Sequence, residues 1–273
     1  MSARSPAPDR RTARRRFERA AGTYAAASRL EAEVGSRMLE RLDYVKLAPR
    51  RILDAGSGPP QRLLGKRYPK ADVVALDFSL EMLRSARTWL DRFRANLSVC
   101  ADLERLPLAA ESVDLVWSNM ALHWLAEPLE ALKEFERALV PEGLVMFSTL
   151  GPDTLKELRA AAGPGRVHAF HDMHDVGDML VAAGFSAPVM DMEMLTIAYP
   201  AADGLLNDLR ASGQTSARAD RPRGLTGKGF AARLRGALVP SATFEVVYGH
   251  AWKRDARPEN ETAKTVRVFK RMP

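Results

Sequence analysis

The chain has 273 residues, 46% hydrophobic and 27% charged, long enough for one generous α/β domain or two small ones and of a composition that argues against global disorder. Cys100 is the only cysteine, which rules out a disulfide framework and a cysteine-based zinc site. No apolar run approaches the roughly 18 to 20 residues of a membrane span and no apolar N-terminal core marks a secretory signal, so the expected location is the cytoplasm, with no membrane partner.

The net charge of +7 is unevenly spread. Residues 1–16 hold six arginines and Asp9, residues 210–235 hold seven basic groups against Asp220, and residues 17–209 are acidic, with 28 acidic and 21 basic side chains. A nucleic-acid footprint needs basic groups on a structured face with interleaved aromatics, and the arginine-rich N-terminus (Ser2 to Arg16) has neither; no nucleic-acid partner is expected. Residues 1–16 read as a disordered solvated tail, with an arginine-rich, acid-poor transit segment as the second reading.

From Phe17 to Leu42, apolar residues recur at helical spacing with a break around Thr23–Ser28, giving a helical lid over residues 17–49. Arg51–Ala55 is a buried strand that opens into Gly56-Ser57-Gly58-Pro59-Pro60. A short helix follows to Arg67, then a strand over Ala71–Asp77 and a helix from Ser79 to Leu90 with Ser79 as its N-cap. Strands at Leu97–Ala101 and Val113–Ser118, a helix at Pro128–Leu139, a turn at Pro141–Gly143 and a strand at Leu144–Thr149 continue the alternation. Strands alternating with helices form βαβ crossovers and a parallel sheet covered on both faces.

Beyond Gly151 the spacing predicts helices at Thr154–Ala162 and Val176–Ala183, the second ended by Gly184, and two strands at Met190–Tyr199 and Phe244–Trp252 that form an antiparallel pair. The expected fold is α/β: seven strands, mostly parallel, helices on both faces and an N-terminal helical lid. Residues 17–253 then form one domain, with a cofactor half at 50–150, a substrate-side half at 151–253 and a polar tail at 254–273.

Chemistry concentrates at the strand ends. Glycines 56 and 58 let the backbone approach a ligand where the first strand, ending Asp54-Ala55, meets a helix. Asp77 ends the second strand about 20 residues on, where a carboxylate accepts both ribose hydroxyls. A dinucleotide fingerprint would place a third glycine at position 61, where this chain has Gln61, so a pyrophosphate has a poor seat. A ribose and adenine without phosphate fit better, which describes S-adenosylmethionine. Phe78 follows Asp77, Asp102 and Leu103 follow the third strand at the expected adenine position, and Asn119, His123 and Trp124 follow the fourth.

The stretches ILDAGSGPP, VVALDFS, ADLERLPL, SVDLVWSNMALHWL and LVPEGLVMFSTL resemble the class I S-adenosylmethionine-dependent methyltransferases. FERAAGTYAAASRLEAEVGSRMLERL, STLGPDTLKELRAA, FHDMHDVGDMLVAAGF and VVYGHAWK resemble more narrowly the malonyl-acyl-carrier-protein O-methyltransferases of biotin synthesis. The resemblance implies a Rossmann-like fold and a cofactor held by Gly56, Gly58, Asp77 and Asp102, with Asp54 supporting the turn. The turn departs from the G-x-G-x-G pattern by ending in Pro59-Pro60, which removes two backbone donors, and by Ser57 where cysteine is often found.

A carboxylate acceptor is ionised at pH 7 and needs no general base, so alignment and exclusion of water carry the expected catalysis. Arg159 is the expected clamp on the malonyl carboxylate, Tyr24 a hydroxyl donor or lid over the cofactor, and His123 and Trp124 the pocket mouth. Arg218, Arg221, Arg223 and Lys228 are expected to steer an acidic acyl-carrier protein. His168, His171, Asp172 and His174 form a cluster that reads as helix capping rather than a metal site. Two alternatives stand beside this: a protein-arginine hydroxylase on the same fold, and a non-catalytic carrier-binding or assembly protein. The chain is expected to act as a monomer.

Overall fold

In the computed structural model, residues 7–59, 63–85, 97–163, 165–221, 224 and 227–255 are described. Seven strands form one sheet: β1 (Arg51–Ala55), β2 (Asp72–Asp77), β3 (Leu97–Cys100), β4 (Val113–Ser118), β5 (Leu139–Leu150), β6 (Phe185–Ala198) and β7 (Ser241–Lys253). Their order across the sheet is β3-β2-β1-β4-β5-β7-β6. The first five pair in parallel, while β7 runs antiparallel to both β5 and β6. Connection order therefore reverses between β1 and β4, and a crevice opens outside their carboxyl ends.

Strand alternation divides the core. Ile52, Leu115, Trp117, Leu144 and Met146 pack on one face with Leu30, Val34 and Met38 of the helix α3 (Arg29–Arg41). Leu53, Ala55, Val116, Val145 and Phe147 pack on the other with Leu132 and Phe135. Successive residues thus serve opposite layers, which is why β1 and β4 read as continuous apolar runs.

The N-terminal lid contains α1 (Arg10–Ala20), α2 (Tyr24–Ala27) and α3. Helix α1 begins inside the segment expected to be a tail: the Asp9 side chain accepts the Thr12 amide at 2.8 Å, and Ala13, Phe17 and Ala20 bury one face. Backbone bonds from Asp9 to Ala217 and from Ala219 to Ala7 tie its start to the 211–221 segment.

The remaining helices are α4 (Leu63–Arg67), α5 (Leu80–Ser85), α6 (Pro128–Ala138), α7 (Lys156–Ala162), α8 (Met173–Ala182), α9 (Ala202–Ala211) and α10 (Lys228–Ala237). The Ser79 hydroxyl caps α5 by accepting the Met82 amide at 3.3 Å. The expected turn at Pro141–Gly143 is a bulge within β5: Leu139 already pairs with Val113, Glu142 adopts φ 61°, and the register shifts before Leu115. A second bulge, between Ser186 and Val189, lets β6 start five residues before its expected beginning. Among the described residues no helix is long and apolar enough to cross a membrane.

Candidate active site

The crevice is built from strand ends. At the end of β1, Gly56 and Gly58 adopt φ of 75° and 58°, which L side chains rarely tolerate. The amides of Gly56 and Ser57 donate to the Leu76 carbonyl at 2.8 and 3.0 Å. Asp77 then anchors the turn: one carboxylate oxygen accepts the Gly58 amide at 2.9 Å and the other the Ser79 amide at 2.7 Å. Two bonds leave lone pairs on each oxygen for the hydroxyls of a ribose. Burial raises the Asp77 pKa to about 6, opposed by these two amide bonds.

At β4, the Ser118 hydroxyl donates to the Ala55 carbonyl at 3.0 Å and Asn119 accepts from the Ser148 hydroxyl at 2.8 Å. The Asn119 amide group donates to the Glu31 carbonyl at 2.9 Å, so the strand end is fastened to α3. Gly35 makes this approach feasible, since a Cβ there would stand 3.1 Å from the Asn119 nitrogen.

An aromatic roof covers the crevice. The Phe17 ring meets Trp124 edge-on at 5.0 Å, Phe78 at 5.9 Å and Tyr24 at 6.5 Å between centroids. The Tyr24 ring passes over the glycine turn, 3.8 Å from where a Gly58 Cβ would be. Burial, then the nearby Glu31 and Asp77 carboxylates, push the Tyr24 phenol well above its ordinary range, so it stays a neutral donor.

Of the residues expected to hold a cofactor, Gly56, Gly58, Asp77, Phe78, Asp102, Leu103 and Asn119 line this one crevice. Asp54 lines a small recess beside it with Tyr24, Glu31 and Ser57. Burial and the neighbouring Asp77 raise the Asp54 pKa to about 7. Arg10, Phe17, Glu31 and Gln214 also line the crevice and were not anticipated from sequence. Arg10 is ion-paired with Asp102. A buried carboxylate, a bare glycine turn and an aromatic roof without lysine or an unpaired arginine suit a neutral nucleoside carrying a cationic tail.

A second cavity of about 330 Å³ adjoins the first, sharing Trp124 and Gln214. Its wall is apolar, with Leu155, Leu158, Phe170 and Phe244 among its lining, and its charged members are Arg166 and Arg210. The Arg166 guanidinium carbon lies over the Phe230 ring, 4.0 Å from its centroid. Burial and then His168 lower the His123 pKa to about 3, and burial with Arg218 and Arg16 lowers that of His168 to about 4. Both imidazoles are therefore neutral at pH 7.

Two sequence expectations are corrected. Arg159 lines neither cavity: its guanidinium turns back to the Pro152 and Thr154 carbonyls at 3.2 Å, where it satisfies the loop entering α7. Arg218 is 8% exposed, bonded twice to Asp220 at 2.8 and 2.9 Å and once to the Val167 carbonyl, while Arg221 donates to the Arg218 carbonyl and the Thr12 hydroxyl. Arg221 thus ties α1 to the 211–221 segment and Arg218 ties that segment to the loop at Val167, and neither guanidinium is left for a partner. Arg223 and the Lys228 side chain lie outside the described residues. In the histidine cluster, Asp172 caps α8 by accepting the His174 amide at 2.8 Å, and His168 instead accepts the Ala217 amide at 2.8 Å beside the second cavity.

A methyltransferase-domain family model matches residues 53–147. The malonyl-[acyl-carrier protein] O-methyltransferase of Methylovorus sp. (strain MP688) is 50% identical over 269 residues, spanning 91% of this chain and 90% of its own. Among solved structures, the YcgJ protein from Bacillus subtilis shares the fold with a TM-score of 0.57 at 17% identity, over 80% of this chain and 98% of that one. Haemonchus contortus phosphoethanolamine N-methyltransferase 2, solved with S-adenosyl-L-methionine, does so with a TM-score of 0.50 at 17% identity, over 81% and 53% of the two chains. The architecture is that of the class I S-adenosylmethionine-dependent methyltransferases, and the chain belongs to the malonyl-[acyl-carrier protein] O-methyltransferase family.

Proposed function

We propose that the protein transfers a methyl group from S-adenosylmethionine to the free carboxylate of a malonyl group carried on acyl-carrier protein, an early step in biotin synthesis. The observation that carries this reading is the meeting of two unlike cavities at Trp124 and Gln214: one built around Asp77 and a glycine turn, the other apolar with two arginines and, among the described residues, no carboxylate in its lining.

When bound, the cofactor supplies an electrophilic methyl on a good leaving group. The chain has to place an acceptor in line with it. Arg166, over the Phe230 ring, is the clamp on the acceptor carboxylate, and Arg210 is the other cation in the lining. Because His123 and His168 are neutral, these guanidiniums alone balance the acceptor, and no acid competes to protonate it. Phe17, Phe78 and Trp124 exclude water from the junction, where hydrolysis would otherwise compete. The leucine and phenylalanine wall suits the apolar stem of a carrier arm.

The test is incubation with S-adenosylmethionine and malonyl-loaded carrier, followed by mass measurement of the intact carrier. A gain of one methyl on the acyl group supports the reading. An unchanged acyl mass, with cofactor bound, overturns it.

A further inference from the structure

Two of the carboxylates around the glycine turn are visibly engaged. Asp77 accepts two amides, and Asp102 is ion-paired with Arg10. Asp54 and Glu31 both line the recess, and of the two only Glu31 also lines the crevice. Glu31 is 5% exposed, faces both the crevice and the recess, and its Oε1 has no hydrogen-bond partner.

A buried carboxylate without a partner is costly, and a fold retains one where a ligand completes it. No lysine or arginine among the described residues lines the recess, and Arg10 in the crevice is already engaged by Asp102. The missing partner is therefore a cation brought from outside. Asn119 and Gly35 hold the position: the Asn119 amide group grips the Glu31 carbonyl, and the bare Gly35 one turn later admits it. This placement fixes the Glu31 backbone while its Oε1 stays without a partner.

Resting on the reading of the crevice as an S-adenosylmethionine site, we propose that Glu31 is the counter-ion of the cofactor's α-ammonium group, so that helix α3 reads the amino-acid end while Asp77 reads the ribose. Glu31 is then a binding residue that selects amino-acid-bearing nucleosides over bare thioadenosines. Its burial raises its pKa to about 7, as an uncompensated carboxylate there requires.

Calorimetry with three ligands tests this. Glu31→Gln keeps the shape and removes the charge, and it should weaken S-adenosylmethionine and S-adenosylhomocysteine by at least about tenfold while leaving 5′-methylthioadenosine, which lacks the amino acid, unchanged. Equal weakening of all three, or of none, overturns the proposal. Wild-type protein gives an independent arm: removing the α-amino group from S-adenosylhomocysteine should cost more affinity than removing its carboxylate, and the reverse order overturns it. Wild-type protein that binds none of the three refutes the methyl-donor reading itself, and with it this assignment.

Discussion

Replacing Glu31 by glutamine should stabilise the ligand-free protein at alkaline pH. In the folded chain Glu31 titrates at about 7, raised by burial from an ordinary 4.5. Below pH 4.5 both states hold the proton and there is no penalty. Between 4.5 and 7 the unfolded chain releases a proton that the folded chain keeps, so stability falls as pH rises; above 7 the loss is complete and constant. That gap corresponds to about 3 kcal/mol as an upper value. Glutamine carries no such penalty. Thermal melting of ligand-free wild type and Glu31→Gln at pH 5 and pH 8, at equal ionic strength, should show nearly equal midpoints at the lower pH and a variant several degrees more stable at the higher. Asp54 and Asp77 also have raised pKa values and shed wild-type stability over this range, but they are common to both proteins and cancel in the difference. A variant less stable than wild type at pH 8, or a difference independent of pH, refutes the assignment of Glu31 as an uncompensated buried acid.

Asp77→Asn places an amide nitrogen against one of the two N–H donors, Gly58 or Ser79, and should cost about 1 to 3 kcal/mol of stability with loss of nucleoside affinity in calorimetry. Gly56→Ala combines a strained φ of 75° with a collision against the Ala121 Cβ, and urea unfolding should report a loss of about 2 to 5 kcal/mol. Arg166→Ala should lower kcat/KM for the malonyl-carrier by about a hundredfold, while Arg159→Ala changes it little, as steady-state kinetics will show.

Much of the scaffold was legible because a doubly covered parallel sheet writes itself as short apolar runs. The bounds of β1 and β4 follow directly from buried stretches ending in glycine or serine. The β5 bulge was not legible: Pro141, Glu142 and Gly143 have turn chemistry whether the chain reverses or only kinks, and pairing with Val113 decides which. The first turns of helix α1 were hidden by composition, since before Phe17 only Ala13 is buried, among five arginines.

The cofactor side of the site was legible for a related reason. Parallel strands deliver their carboxyl ends to one edge, so Gly58, Asp77, Asp102 and Asn119 converge once the strands are placed. Arg10, Glu31 and Gln214 come from helices and a loop whose crossing of that edge depends on long-range packing. One local signal did mark Glu31: it falls on the inward face of α3 beside Leu30 and four residues before Gly35. Arg159 and Arg218 show the opposite error, for an arginine near a site in sequence is as readily consumed by nearby carbonyls and Asp220 as offered to a substrate.

The most direct test of the central claim is a crystal structure of the protein with S-adenosylhomocysteine. The ribose hydroxyls should rest on the Asp77 carboxylate, the adenine beside Asp102 and Leu103, and the sulfur should face the junction at Trp124 and Gln214. A nucleoside bound elsewhere, or a ribose that leaves Asp77 untouched, contradicts the account.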